Sequence, residues 1–268
     1  MRSYTKYFQL RFITNLQYRL AAIAGISTQI FFGLIFIFVY LAFYKSNPNS
    51  SLPMEWNHLV TYIWLEQAFY ALIYPFDKDE ELLNMIKNGN LAYELIRPQN
   101  IFFKFYIKMI AKKVVASLMR AIPVLIIAFI LPEPLNMSLP NSVSNFILFL
   151  ISLIISCLLI SSLTVLVHIL TMYTIDSKGI LSIYSVILEV FSGSTIPIPF
   201  FPKWLKNIAY ILPFRFISDL PFRVYSGSIN INQGINNILE AIIWTIITIL
   251  IGNLITKNAL KKAVIQGG

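Results

Sequence analysis

Charge is scarce in this chain. Only 12% of its 268 residues are Asp, Glu, Lys or Arg, about half the share found in an ordinary soluble domain. Cysteine occurs once, as Cys157, which excludes an internal disulfide and a cysteine metal site. The two histidines, His58 and His168, are too few and too scattered to form a catalytic constellation. No Gly-x-x-x-x-Gly-Lys-Ser/Thr run occurs, and Lys178-Gly179 has the order reversed, so the chain has no such loop to cradle nucleotide phosphates. What is present is apolar: 57% of residues are hydrophobic and the mean hydropathy is +0.71. This composition excludes a disordered chain, a nucleic-acid-binding tail and a small disulfide scaffold. It leaves an all-α membrane protein with several spans. The formal charge of +9 then has to be placed.

A membrane helix needs about 20 apolar residues, because each rises about 1.5 Å through a core about 30 Å thick. Six windows meet or approach that length: Leu20–Tyr44, His58–Pro75, Val114–Leu131, Val143–Leu170, Ile180–Ile196 and Ile238–Ile255. The second and fifth are short. Six spans put both termini on one side. With that side cytoplasmic, it collects the cations of the N-terminal arm, those from Lys78 to Arg120, Lys178, and Lys257, Lys261 and Lys262. Only Lys45, Lys203, Lys206, Arg215 and Arg223 fall opposite. Positive charge is retained inside, so both termini are expected to be cytoplasmic. The basic balance thus reads as topology, and no nucleic-acid partner is expected. The first apolar stretch is too long, and its basic arm too extended, for a cleaved leader; it reads as a retained anchor.

Three segments outside the spans have patterns of their own. In residues 1–19, Tyr4, Phe8, Phe12 and Leu16 recur every four residues and so share one helical face. This predicts an amphipathic helix lying in the cytoplasmic interface, apolar face down, serving as an anchor or as a lever on span one. Residues 76–107 are the most polar part of the chain. Acids at Asp77, Asp79, Glu80 and Glu81 and a stop at Asn88-Gly89-Asn90 bracket a short helix. A second could run through Leu91–Ile96, ending before Pro98. Leu82, Leu83 and Ile86 give the first an apolar side suited to a protein groove. In residues 197–227, Pro197, Pro199, Pro202, Pro213 and Pro221 exclude one straight helix, since an interior proline costs about 3 kcal/mol. Two short helices are expected, starting at Pro202 and after Pro213, at the outer interface or dipping back into the bundle.

Within the spans, Glu66, followed by Gln67, stands mid-way along span two, and Glu189 lies about 13 Å into span five. Such acids are expensive in lipid and face a bundle interior or cavity. Either they are neutral and hydrogen-bonded between helices, or they line a path that attracts a cationic or amphipathic substrate. Arg120, about 9 Å deep in span three, can snorkel to the cytoplasmic surface. His168 and Cys157 read as packing residues.

The run Ile86-Lys87-Asn88-Gly89-Asn90-Leu91-Ala92-Tyr93-Glu94-Leu95-Ile96-Arg97-Pro98 resembles the cytoplasmic segment of type-2 permeases of ATP-binding-cassette exporters. Ser192-Gly193-Ser194-Thr195-Ile196-Pro197-Ile198-Pro199-Phe200-Phe201-Pro202-Lys203-Trp204-Leu205, with Leu212-Pro213-Phe214 downstream, is similar to the stretch after the fifth span of the same class. Six spans, the interfacial N-terminal helix and both segments, in that order, cover nearly the whole chain. The resemblance implies one transmembrane domain over 1–268 that pairs with two ATPase subunits and a second permease chain, a heterodimer being favoured over a homodimer. ATP and magnesium would then be held by the partner, and the chain itself would be no enzyme. It implies coupling to the ATPase through Glu80, Glu81, Leu83, Ile86, Lys87, Gly89, Leu91, Tyr93 and Arg97. It also implies an outer gate, rather than a plain interfacial cap, at Pro197, Pro199, Pro202, Trp204, Pro213 and Phe214.

The expected function is therefore the permease part of an ATP-driven exporter in a bacterial plasma membrane, moving a hydrophobic drug or antimicrobial peptide outward. A lipid or polysaccharide exporter and a non-transporting subunit that binds an ATPase are the alternatives. A channel would show a polar stripe along its spans, and these show isolated polar residues.

Overall fold

The computed structural model describes residues 2–17, 19–46, 52–88, 90–91, 94, 99–174 and 177–262. They form helices and connections, with no strand. In chain order the helices are α1 (Arg2–Asn15), α2 (Arg19–Ser46), α3 (Trp56–Ala68), the single turn α4 (Tyr70–Ile73), α5 (Glu80–Lys87), α6 (Ile101–Ile130) and α7 (Val143–Leu170). After them come α8 (Ser177–Phe191), α9 (Lys203–Ile211), α10 (Asp219–Ser226) and α11 (Ile231–Lys262).

Helix α7 is the hub: α6, α10 and α11 pack on it. Its sequence explains why. Ser152, Ser156, Ser161, Ser162 and Thr164 are buried along it, and small polar side chains let helix backbones approach closely and bond across the seam. Ser162 Oγ and Thr248 Oγ1 of α11 are 2.7 Å apart. Ser156 Oγ donates to the Ile217 carbonyl oxygen. A large core fills the middle of the bundle around Trp64, Leu65, Phe149, Leu159 and Phe222. A second cluster, with Leu82, Leu91, Phe102, Phe105, Met109, Ile169 and Ala259, closes the end where α11 finishes. This end also holds α1 and the lysines of early α6, and is called the basic end below; the proline-rich end lies opposite.

Four helical stretches are long and apolar enough to cross a membrane: Ile23–Ser46, Ile101–Ile130, Val143–Tyr173 and Ile231–Lys261. They coincide with the first, third, fourth and sixth predicted windows. The second window holds α3, of 13 residues, which breaks at Phe69 before α4 resumes for one turn. The fifth holds α8, of 15 residues.

The structure differs from the sequence expectations at three points. Helix α6 starts at Ile101, well before the predicted Val114, because Asn100 caps it through Phe103 N and no proline or glycine stands between Ile101 and Val114. Its 30 residues make it about 45 Å long, so about 15 Å exceeds a bilayer core. The aromatic stripe of α1 is half-buried against the protein, while Leu10 and Ile13 on the other side are exposed. Tyr4 Oη accepts from Asn100 N at 3.1 Å, which ties that stripe to the start of α6. The apolar side of α5 is likewise covered by the chain itself: Leu82 is fully buried, with Ile86 packed beside it in the basic-end cluster.

Candidate functional site

Helix α5 is built as expected. Asp79 Oδ1 accepts from Leu82 N at 3.0 Å and caps the first turn, Glu80 and Glu81 follow, and Lys87 closes the last turn, all favourable to the helix dipole. The acids do a second thing that spacing within 76–87 does not reveal: they bind α6. Lys108 Nζ lies 2.7 Å from Asp79 Oδ1 and 2.6 Å from Glu81 Oε2. Arg11 Nη2 reaches the same Glu81 oxygen at 2.9 Å, so one carboxylate joins α1, α5 and α6. Asp77 is shared by Lys112 and Lys113, the latter at 3.4 Å. Lys104 pairs with Glu94. Burial pushes the Asp77 carboxyl up, but the ammonium groups of Lys113 and Lys112 outweigh it and hold it below its ordinary value. Burial acts the same way on Glu81, and there Lys108 and Arg11 bring the net shift downward. His168 completes the clamp. Its Nε2 accepts from Asp79 N at 3.0 Å, so Nδ1 carries the proton and donates to Thr164 O at 2.7 Å. Sequence reasoning missed Arg11, Lys108 and Lys112 as partners of the acids at 77–81 and Lys104 as the partner of Glu94. The signal was available: 104, 108 and 112 recur every four residues on one helix face.

Of the predicted coupling residues, Glu80 and Lys87 are exposed, Leu83 and Ile86 are half-buried, Glu81 is engaged in the clamp and Leu91 is buried. Gly89, Tyr93 and Arg97 lie outside the described residues. The outward row of α5 is thus polar: Glu80, Asn84 and Lys87, at spacings of four and three.

Glu66 and Gln67 are both buried on α3. Gln67 Nε2 donates to Glu66 Oε2 at 3.3 Å. Glu189 is half-buried near the end of α8, where Thr195 Oγ1 donates to its Oε1 at 3.5 Å. The two carboxyl groups are near enough for their charges to interact, and Tyr40 of α2 and Tyr70 of α4 share that neighbourhood. Each acid thus has a neutral hydrogen-bond partner on its own stretch of chain, and among the described residues no basic residue is ion-paired to either.

At the other end the chain breaks where prolines were expected to break it. A short 3-10 turn spans Ile198–Phe200, α9 follows Pro202, a second 3-10 turn starts at Pro213, and α10 ends at Gly227. The segment dips inward: Leu220, Pro221 and Phe222 are buried, with Phe222 edge-on to Tyr62 at 5.5 Å. Among predicted gate residues, Pro197, Pro199 and Pro213 are buried and Phe214 is half-buried, whereas Pro202 and Trp204 are exposed. The anchor of this segment was not predicted. Ser192 O accepts from Asp219 N at 3.0 Å and from Ser218 Oγ at 2.7 Å. Next to it, Gly193 O accepts from Tyr62 Oη at 2.9 Å. Gly193 has φ +83°, and an added Cβ would lie 2.8 Å from the Tyr62 oxygen, so both backbone and packing require glycine.

Among the described residues no group of three or more His, Cys, Asp or Glu side chains could hold a metal ion. No curated protein and no solved structure gives a significant match. A family model described as ABC-2 family transporter protein matches residues 34–267, from within α2 through the last helix. This long match includes the α5–α6 clamp, both intramembrane acids and the inward-dipping proline segment, and the chain belongs to the ABC-2 family of transporter membrane proteins.

Proposed function

We propose that the chain is the permease subunit of an ATP-driven exporter, in which a separate ATPase drives the bundle by pushing on α5. One observation carries this reading. Helix α5 is short and polar outside, yet it is fixed to the spanning helix α6 and to α1 by a network of ion pairs. A force applied to its exposed row would reach the bundle directly, because charge-assisted bonds of this kind are short and directional. The long basic excess at this end supports its placement in the cytoplasm. Six spans follow if α3 with α4 forms one span and α8 another. Residues 56–73 reach about 27 Å, close to a bilayer core, and α8 hands over to the inward-dipping segment. A discontinuous span next to a re-entrant segment suits a transport path, since irregular backbone at membrane depth persists only where protein or a cavity satisfies it. Glu66 and Glu189 support an amphipathic cargo that carries positive charge. Two ATPase subunits and a second permease chain complete the assembly, with ATP and magnesium on the ATPases.

The test is reconstitution of the chain with its ATPase in liposomes. ATP-dependent movement of a cationic amphipathic dye is expected, with Glu66→Gln slowing it by about tenfold while ATPase capture is unchanged. Equal transport of cationic and neutral dyes by wild type and variant would refute the role of the acids. No ATP-dependent movement of any dye, with the ATPase bound, would favour a non-transporting subunit.

A further inference from the structure

Arg120 is the one cation of mid-α6 that the clamp does not use. Among the described residues it makes no hydrogen bond or ion pair, and its Nε is shut away from solvent. Its guanidinium lies flat against α2 at Gly25, where a methyl group would come within 2.8 Å of Cζ. Two clefts, of about 390 and 430 Å³, meet on this side chain and share Lys112, Ala116 and Arg120 as walls. The acids nearby are already engaged: Asp77 by Lys112 and Lys113, and Asp79 and Glu81 by Lys108. Glu80 is exposed at the rim. The second cleft adds Tyr70 and Tyr74, whose rings pack edge to face at 5.6 Å. Ile23, two residues before Gly25 on α2, is exposed.

We infer that these clefts bind the phosphodiester headgroup of an anionic phospholipid from the leaflet at the basic end, with Arg120 gripping the phosphate. Asp77, Asp79 and Glu81 are taken by lysines, and lipid phosphate is the anion the bilayer itself supplies to Arg120. Guanidinium suits it because its fork of donors matches phosphate oxygens two at a time. The tyrosine hydroxyls add neutral donors, and the packing on Gly25 holds the guanidinium at the headgroup side of the helix. The linings carry five cations against four carboxylates, and the one left over favours a net negative headgroup over a zwitterionic one.

The inference rests on the membrane placement proposed above. It is tested on the full chain in detergent by native mass spectrometry, titrating phosphatidylglycerol, phosphatidylcholine or inorganic phosphate. Wild type is expected to retain one phosphatidylglycerol per chain. Arg120→Gln should weaken it about tenfold, with Arg120→Lys between the two and Lys257→Gln unaffected. Should Arg120→Gln fail to fold, Gly25→Ala, which displaces the guanidinium, is expected to weaken binding in its place. Wild type that retains no phosphatidylglycerol, binds phosphatidylcholine equally, or saturates with inorganic phosphate alone overturns the assignment, as does undiminished retention by Arg120→Gln. ATPase capture on the same preparations separates the readings. Capture without lipid retention refutes only the lipid site, and retention without capture refutes only the coupling.

Discussion

Lys113 has no exposed surface, yet its ammonium is placed: Leu72 O accepts from it at 3.0 Å and Asp77 Oδ2 lies 3.4 Å away. A buried charge that loses its partner is far more costly than the pair is stabilising, commonly by about 3–5 kcal/mol. Asp77→Asn is therefore expected to destabilise the protein by about 3 kcal/mol, the low end because the Leu72 carbonyl remains. Asp77→Asn with Lys113→Met should recover most of the loss in denaturant unfolding; no recovery would mean that the carboxylate acts through some other contact. At the far end, Gly193→Ala forces a Cβ into a left-handed backbone position and against Tyr62. Strain of this kind costs about 1–3 kcal/mol. The expected result is a lower unfolding midpoint, with Tyr62→Phe showing a smaller drop from its lost hydrogen bond. Equal midpoints for wild type and Gly193→Ala would contradict the account of the turn.

Helix α5 illustrates both what a sequence can carry and what it withholds. Its start, stop and apolar side follow from Asp79, Asn88 and Leu82, all local features. Its attachment does not, because the partners Lys108 and Lys112 lie roughly a helix away in sequence and pair only once α6 extends back to Ile101. The lysines read as topology signals because their periodicity belonged to a helix whose start was placed too late. The clamp should show in acid. Asp77 and Glu81 have carboxyl pKa values lowered by folding, so they bind fewer protons in the native state. Their stabilisation is complete above the ordinary carboxylate range of about 4 to 4.5 and is lost as pH falls through the depressed values. Thermal unfolding midpoints are expected to fall between about pH 5 and pH 3. The fall should be shallower in Lys108→Gln, which lacks the partner of Glu81 and Asp79. A fall of the same depth in that variant would exclude the clamp as its source. Helix α1 teaches the same lesson from the other side: its aromatic stripe was legible, but its packing on α6 was not.

The whole molecule divides into a basic end that holds α5 and a proline-rich end that folds inward. Four spans were plain from hydropathy because length alone identifies them. The windows around α3 and α8 were marginal for a physical reason. Their helices are only 13 and 15 residues long, one stopping at the break at Phe69 and the other at Phe191. The burial of Glu66 could be suspected from its cost in lipid, whereas the Ser192–Asp219 anchor had no sequence signal of its own. With six spans, α5 and α9 lie on opposite sides of the membrane. Cys157 is buried, so a single added cysteine dominates thiol labelling. An impermeant maleimide applied outside intact cells should label Trp204→Cys and leave Lys87→Cys untouched; the reverse pattern would invert the orientation.

The central claim, that an ATPase engages the outward row of α5, is tested most directly by thiol cross-linking from Asn84→Cys in membranes co-expressing an ATP-binding-cassette ATPase subunit. The account predicts a cross-linked product containing the ATPase from Asn84→Cys and none from Trp204→Cys. No product from Asn84→Cys, or equal yields from both positions, would contradict it.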